Sequence, residues 1–186
     1  VGIVTNNDDP GRMARVKVKF PWLDNTQESF WARVATPLAG PRNGFYLMPE
    51  VNDEVLVAFE QGDFNRPYVV GSLWNGKDEL PSIAAGAADG DRAKIHELRT
   101  KGASYILLND VSGNEKIELR TEDGHTVLID KANKKIEVKT AGGSTVLMDD
   151  QGKKVEVSEP SGLKVTLDGN ARKLTDSSPG DIELNA

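Results

Sequence analysis

The sequence predicts an all-β protein: a small closed barrel followed by a repeating array of β-hairpins. Short runs in which apolar and polar residues alternate with period two recur along the chain, and no stretch keeps a helical period. All eleven aromatic residues lie between Phe20 and Tyr105, so the two halves draw on different cores. A line of nineteen residues is then written three times from Lys116 onward.

The elements of the first half follow in order. "VGIVT" (Val1 to Thr5) is a first strand, and "NNDDPGR" (Asn6 to Arg12) is a turn cluster. In "MARVKVKF", Ala14, Val16 and Val18 alternate with Arg15, Lys17 and Lys19, which describes a half-buried strand. "FWARVATPL" continues the pattern. In "FYLMPEVNDEVLVAFEQGD", Asn52-Asp53 makes a turn and Val55, Val57 and Phe59 share one face. "RPYVVGSLW" closes the set. Five to six short strands of this kind suit a small closed barrel, of which the OB-fold is the five-stranded example.

Between Asn75 and Arg92 the chain collects Gly, Ala, Pro and Asp without alternation, which reads as an exposed connection. The expected organisation is a barrel over 1–78, a linker over 79–93 and a repeat region over 94–186.

In the repeat region "KIELRTEDGHTVLIDKANK" is followed by "KIEVKTAGGSTVLMDDQGK" and "KVEVSEPSGLKVTLDGNAR". Gly124, Gly143 and Gly162 hold one register position, and Asp130, Asp149 and Asp168 another. A looser copy precedes (His96 to Asp110) and a degenerate one follows (Lys173 to Asn185). Such self-similarity marks a stacked β-array whose units bury their apolar faces only against neighbours. Each unit holds two strands with one apolar face, a stripe too thin to close a core and with edges open to pairing. Three copies around one axis would turn the stripes inward, and a narrow bore explains the missing aromatics, since three rings at one level would overfill it. The side chains expected in that core are Ile106, Leu108, Ile117, Leu119, Val127, Ile129, Ile136, Val138, Val146, Met148, Val155, Val157, Val165 and Leu167.

Composition bounds the function. With 186 residues, 38% hydrophobic, the chain can bury a core. Its net charge of -6 opposes binding to a phosphate backbone, which draws on clustered Lys and Arg. The absence of cysteine removes thiolate chemistry and disulfides. No run approaches the roughly 20 apolar residues that span a bilayer, and the first residues do not form a signal peptide.

"GIVTNNDDPGRMARVKVKFPWL" and "WARVATPLAGPRNGFYLMPEVNDEVLVAFEQGDFNRPYVVGSLWNG" resemble the OB-fold of spike proteins in contractile injection machines: the VgrG proteins of type VI secretion, phage baseplate spikes of the gpV kind, and their extracellular relatives. Asn52 stands where that family usually has Gly, and Asn tolerates the left-handed conformation such a turn needs. The resemblance implies a trimeric, intertwined triple-stranded β-helix (β-prism) behind the barrel, acting as a central spike that pierces a target envelope. It implies baseplate hub proteins at the barrel end and a PAAR-repeat tip protein on the last strand, Asp181, Ile182, Glu183, Leu184, Asn185 and Ala186. It also implies synthesis in the cytoplasm, assembly into a contractile particle, transient contact with the target membrane, and delivery outside or into the target cell. VgrG relatives carry hub domains before the barrel, whereas this sequence opens on the first strand; the expectation is a phage-like spike or a piece of a longer one. Rival readings are a trimeric adhesin stalk and an oligosaccharide-binding OB module.

Candidate chemistry is sparse, and neither a cofactor nor an enzymatic activity is expected. Glu50, Asp53 and Glu54 could form an acid/base pair but flank a turn with no apolar pocket in view. His96 and His125 lack recognised metal-ligand spacing. His125 shares a face with Val127 and Ile129, so three copies could gather on an axis as a weak metal candidate; Ser144 and Leu163 hold the matching positions of later units. Asp149-Asp150 and Asp123-Gly124 read as turns, because the glycine-rich nonapeptide of calcium-binding repeats is absent. Trp22, Trp31 and Trp74 could form a stacking platform, but read more simply as core or interface residues.

Overall fold

The computed structural model describes residues 1–81, 88–89 and 92–178. Apart from one three-residue 3-10 turn at Glu60–Gly62, its regular elements are strands, as the alternation predicts. The chain divides into two compact units, Val1–Glu79 and Leu80–Ala186.

The first unit contains β1 (Gly2–Asn6), β2 (Arg15–Phe20), β3 (Asp24–Glu28), β4 (Ala32–Val34), β5 (Ala39–Gly40), β6 (Asn43–Gly44), β7 (Glu54–Phe59) and β8 (Pro67–Ser72). Strands pair in the order β1-β7-β8-β4-β2, and β2 returns to β1, so five strands close a ring. Closure removes the open edges that five short strands would otherwise present. The pairings are antiparallel except β4 with β8, which gives the topology of an OB barrel. Strand β3, not anticipated from its polar sequence, is a hairpin partner of β2, and β5 and β6 form a separate two-residue hairpin.

Alternation fills the barrel. Val16, Val18 and Phe20 point inward and meet Val4, Ala32, Val55 and Val69, while Val57 and Phe59 pack against this cluster. Ala14 does not begin the β2 alternation, because the preceding loop runs through it at φ +53°. That loop is organised by Asp9, whose carboxylate accepts the backbone N–H groups of Gly11 (2.9 Å) and Met13 (2.9 Å) and a bidentate contact from Arg15 (2.7 and 2.9 Å). The Arg15 guanidinium, assisted by the two backbone donors and opposed by burial, holds the Asp9 carboxyl far below the usual carboxylate range.

In the second unit β9 (Ala88–Asp89) pairs with β10 (Arg92–Ala93). Nine five-residue strands then form one sheet: β11 (Ile95–Arg99), β12 (Tyr105–Asn109), β13 (Lys116–Arg120), β14 (Thr126–Asp130), β15 (Lys135–Lys139), β16 (Thr145–Asp149), β17 (Lys154–Ser158), β18 (Lys164–Asp168) and β19 (Lys173–Ser177). They pair antiparallel in strict chain order. The sequence period reappears in the backbone. Gly124, Gly143 and Gly162 adopt φ of +101°, +95° and +104° in three-residue loops, and Lys134, Lys153 and Arg172 adopt +53°, +49° and +52° in the loops at the other end. In the glycine loops a turn bond from residue four to residue one (Gly143 N to Thr140 O, 3.0 Å) is followed by a bulge bond (Thr140 N to Ser144 O, 2.9 Å), the geometry of a type I turn with a glycine bulge. Asp130 and Asp149 cap the opposite loops, accepting the N–H of Asn133 and Gly152 at 2.8 Å. Those loops also stack, since Lys131, Asp150 and Gly169 donate their N–H to the carbonyls of Glu115, Lys134 and Lys153. Loops this short force each strand beside its predecessor, so the ladder of internal strands is satisfied within one chain. Among the described residues the sheet leaves open one face and the outer edges of its end strands, β11 and β19.

Candidate functional site

Antiparallel register converts the repeat into two straight columns. One runs His96, Leu108, Ile117, Ile129, Ile136, Met148, Val155, Leu167, Leu174. The other runs Leu98, Ile106, Leu119, Val127, Val138, Val146, Val157, Val165, Asp176. All fourteen side chains expected in the core fall in these columns. Thirteen retain 36–52% of their surface exposed, and Val165 is half-buried. Neighbours within the sheet thus cover only about half of each side chain. Covering the remainder would contribute roughly 1 kcal/mol per residue, or on the order of 10–15 kcal/mol per chain, from a full-burial value of about 1.5–3 kcal/mol. The stripe begins at His96 in one column and ends at Asp176 in the other.

The opposite face needs no partner. Its middle column alternates Leu107, Glu118, Leu128, Glu137, Leu147 and Glu156, and a flanking column alternates Lys116, Asp130, Lys135, Asp149, Lys154, Asp168 and Lys173. Opposite charges therefore face one another across successive strands. Lys164 and Lys154 donate to Glu156 at 2.8 and 3.4 Å, and with Lys164 the larger influence they lower the Glu156 pKa against the effect of burial. Glu118 is buried, which alone would raise its pKa. The Tyr105 hydroxyl (2.7 Å), Lys116 (3.0 Å) and Arg120 outweigh that and leave it lowered. Arg99 covers the Tyr105 ring at 4.4 Å. These partly buried pairs keep their carboxylates charged, and the charges keep this face polar.

The isolated candidates resolve into local roles. His125 lies in a glycine loop at the border of the stripe; its Nε2 is 3.2 Å from Asp123, and the Ala141 N–H donates to its Nδ1 at 3.3 Å. Both ring nitrogens therefore have partners within the chain. His96 heads an apolar column opposite Leu108. The Asp53 carboxylate accepts the Glu50 N–H at 2.8 Å and closes the turn that Asn52 makes at φ +80°, while Glu54 opens β7. The three tryptophans occupy separate settings: Trp22 donates to the Val1 carbonyl, Trp31 lies under Arg15 and Lys17 at 5.8 and 5.5 Å, and Trp74 stands exposed beside Glu54. Asp181 to Ala186 lie outside the described residues. What sequence reasoning missed is the Asp9–Arg15 pair, signalled only by an Asp before Pro-Gly, and the number of barrel aromatics that face solvent.

The ring topology and the apolar-faced sheet define the class: an OB-barrel protein carrying a repetitive β-sheet. Residues 1–74 match the family described as the type VI secretion system/phage-baseplate injector OB domain, and the barrel belongs to that family. The chain is similar in sequence to VgrG spike proteins. It is 31% identical over 131 residues to the type VI secretion system spike protein VgrG1c of Pseudomonas aeruginosa, covering 61% of this chain and 18% of that protein. It is 29% identical over 120 residues to spike protein VgrG3 of Vibrio cholerae (62% and 12%), and 28% identical over 120 residues to that species' actin cross-linking toxin VgrG1 (62% and 11%). The match spans less than a fifth of the length of these relatives. Because 61% of 186 residues exceeds the 79 residues of the first unit, the similarity to VgrG1c continues into the second.

Proposed function

We propose that this chain is a structural, non-enzymatic spike of a contractile injection machine, in which three copies bury their apolar stripes on a common axis. The observation that carries the reading is the pairing of a continuous two-column aliphatic face with a self-neutralised opposite face, in a chain whose barrel is an injector OB domain. A closed trimer sets each stripe against the other two and leaves the Lys/Asp/Glu faces outward, giving a stiff, soluble rod. Stiffness follows from geometry: nine strands lie across the rod's length, so bending must distort many ladder bonds together. In such a machine the rod transmits the thrust of contraction to the target envelope and touches its membrane only in passing. Hub proteins of the baseplate hold the barrel end, and a PAAR-repeat tip protein caps the far end. The chain is made in the cytoplasm and leaves it as part of the particle.

Light scattering on the full chain tests the reading. A mass of three chains that survives dilution is the expected result. A stable monomer overturns it, because the stripe would then remain exposed, or be covered within one chain.

A further inference from the structure

Two asparagines of this chain, Asn43 and Asn75, precede glycine. In that dipeptide the glycine nitrogen can attack the asparagine side chain, because no Cβ shields it and the backbone around it turns freely. The fold treats the two sites differently. Asn43 lies in β6 and pairs with Gly40, and its Oδ1 rests so close to Gly40 that a Cβ added there would stand 2.4 Å away. The Phe45 N–H donates to the Leu38 carbonyl at 2.9 Å and holds this hairpin extended. Closing a succinimide ring on Asn43 would draw its backbone out of the extended range and open the hairpin.

Asn75 carries no such restraint. It follows Trp74 outside any strand, half-buried, with Gly76 exposed. Its Oδ1 accepts the backbone N–H groups of Lys77 at 3.0 Å and Asp78 at 2.9 Å. Among the described residues, neither its Nδ2 nor the Gly76 N–H has a hydrogen-bond partner within the chain. The nucleophile and the leaving group are therefore free, while two donors already aim at the oxygen on which negative charge develops during attack.

We propose that Asn75 is a self-modification site, where the folded chain deamidates while Asn43 is protected. The Gly76 nitrogen gives its proton to solvent base and bonds to Cγ of Asn75; the Cγ–Nδ2 bond breaks and ammonia leaves. Water then opens the succinimide at either carbonyl, leaving aspartate or isoaspartate at position 75. The new carboxylate stands beside Trp74, next to a groove of about 250 Å³ that already holds Asp53, Glu54 and Asp78. Isoaspartate also adds a backbone methylene, which draws Lys77 and Asp78 out of the cap. The step needs one chain only, so it is independent of the trimeric reading.

Full-length protein, folded and in parallel unfolded in guanidinium, is held in mildly alkaline buffer, digested at glutamate and mapped by mass spectrometry. Glu50, Glu54 and Glu60 place the two sites on separate peptides. In the folded protein Asn75 should convert at least about tenfold faster than Asn43, and no more slowly than it does in guanidinium, where the two sites should convert alike. Gly76→Ala adds a Cβ that meets nothing within 4 Å, so it leaves the fold intact, and it should slow conversion at Asn75 by shielding the nitrogen. Equal rates at the two sites in the folded protein overturn the proposal, since the fold would then select neither. An Asn75 amide that is lost more slowly in the folded protein than in guanidinium also overturns it, and gives the Lys77 and Asp78 bonds a protective role instead.

Discussion

Lys135 and Asp149 stand directly opposite each other on β15 and β16, with Nζ 3.7 Å from Oδ2, and the same Asp149 carboxylate accepts the Gly152 N–H that shapes the following loop. One carboxylate thus serves a cross-strand pair and a turn. The Gly152 N–H is the largest influence lowering its pKa, with Lys135 and Lys154 assisting against burial. Asp130, held first by the Asn133 side chain, and Glu156, held first by Lys164, shift the same way.

A pH dependence follows. Carboxylates whose folded-state pKa is depressed contribute stability that is present above their unfolded values and is lost as pH falls through the folded ones. Thermal unfolding followed by circular dichroism should give a midpoint nearly constant from pH 8 to about 5 and falling below about pH 4, near the unfolded carboxyl values. Asp149→Asn should lower the neutral-pH midpoint and flatten the acid limb. An unchanged acid limb in that variant would show that the capped loop does not contribute.

The turn series contains one misfit that sequence comparison within the chain makes visible. Ala103 occupies the place held by Gly124, Gly143 and Gly162 in the other loops, at φ +64°, and donates the same turn bond to Thr100 at 2.9 Å. A non-glycine residue there costs about 1–2 kcal/mol, partly offset by the smaller unfolded-state entropy of Ala. Ala103→Gly should therefore stabilise the β11–β12 hairpin by about 0.5–1 kcal/mol. Gly143→Ala should act in the opposite direction and by more, since its Cβ would also meet the Pro160 ring at 3.2 Å. Thermal midpoints of the two variants, measured at one protein concentration, should move in opposite senses.

The stripe predicts a positional asymmetry between adjacent residues. Val138 lies in an apolar column and Glu137, its neighbour, on the charged face. Val138→Asp would place three carboxylates at one level of the proposed interior, each costing several kcal/mol when buried without a partner. The measured mass should fall from three chains to one at micromolar concentration. Glu137→Lys, one residue away, should leave the mass at three. Equal behaviour of the two variants would mean that the columns do not define the interface.

How much of this was legible in the sequence depends on whether the information was periodic. The aliphatic columns were legible because period-two alternation and a nineteen-residue step fix both face and register. Val16 and Val18 were legible for the same reason. Strand β3 was not: Asp24 to Glu28 is polar throughout, and it is a strand only because β2 offers it an edge. The Asp9 loop was also hidden, since its order comes from a carboxylate reaching backbone and side-chain donors up to six residues away, a pattern that no alternation encodes.

Asn52 offers the sharpest test of a reading made from one residue. A turn needing the left-handed region was expected there, with Asn in place of Gly, and Asn52 adopts φ +80° while donating its N–H to the Val4 carbonyl at 2.8 Å. That bond ties the turn to β1 and so to the ring closure. Asn52→Gly should leave stability within about 0.5 kcal/mol, because strain relief and unfolded-state entropy nearly cancel. Asn52→Val should lose about 1–3 kcal/mol, since a β-branched side chain pays the full strain of that region. The loss should appear in the barrel, read by tryptophan fluorescence, because all three tryptophans lie there, while the thermal transition of the tryptophan-free repeat sheet stays in place. A Val variant as stable as Asn would mean that the turn escapes the left-handed conformation and that its bond to Val4 is dispensable.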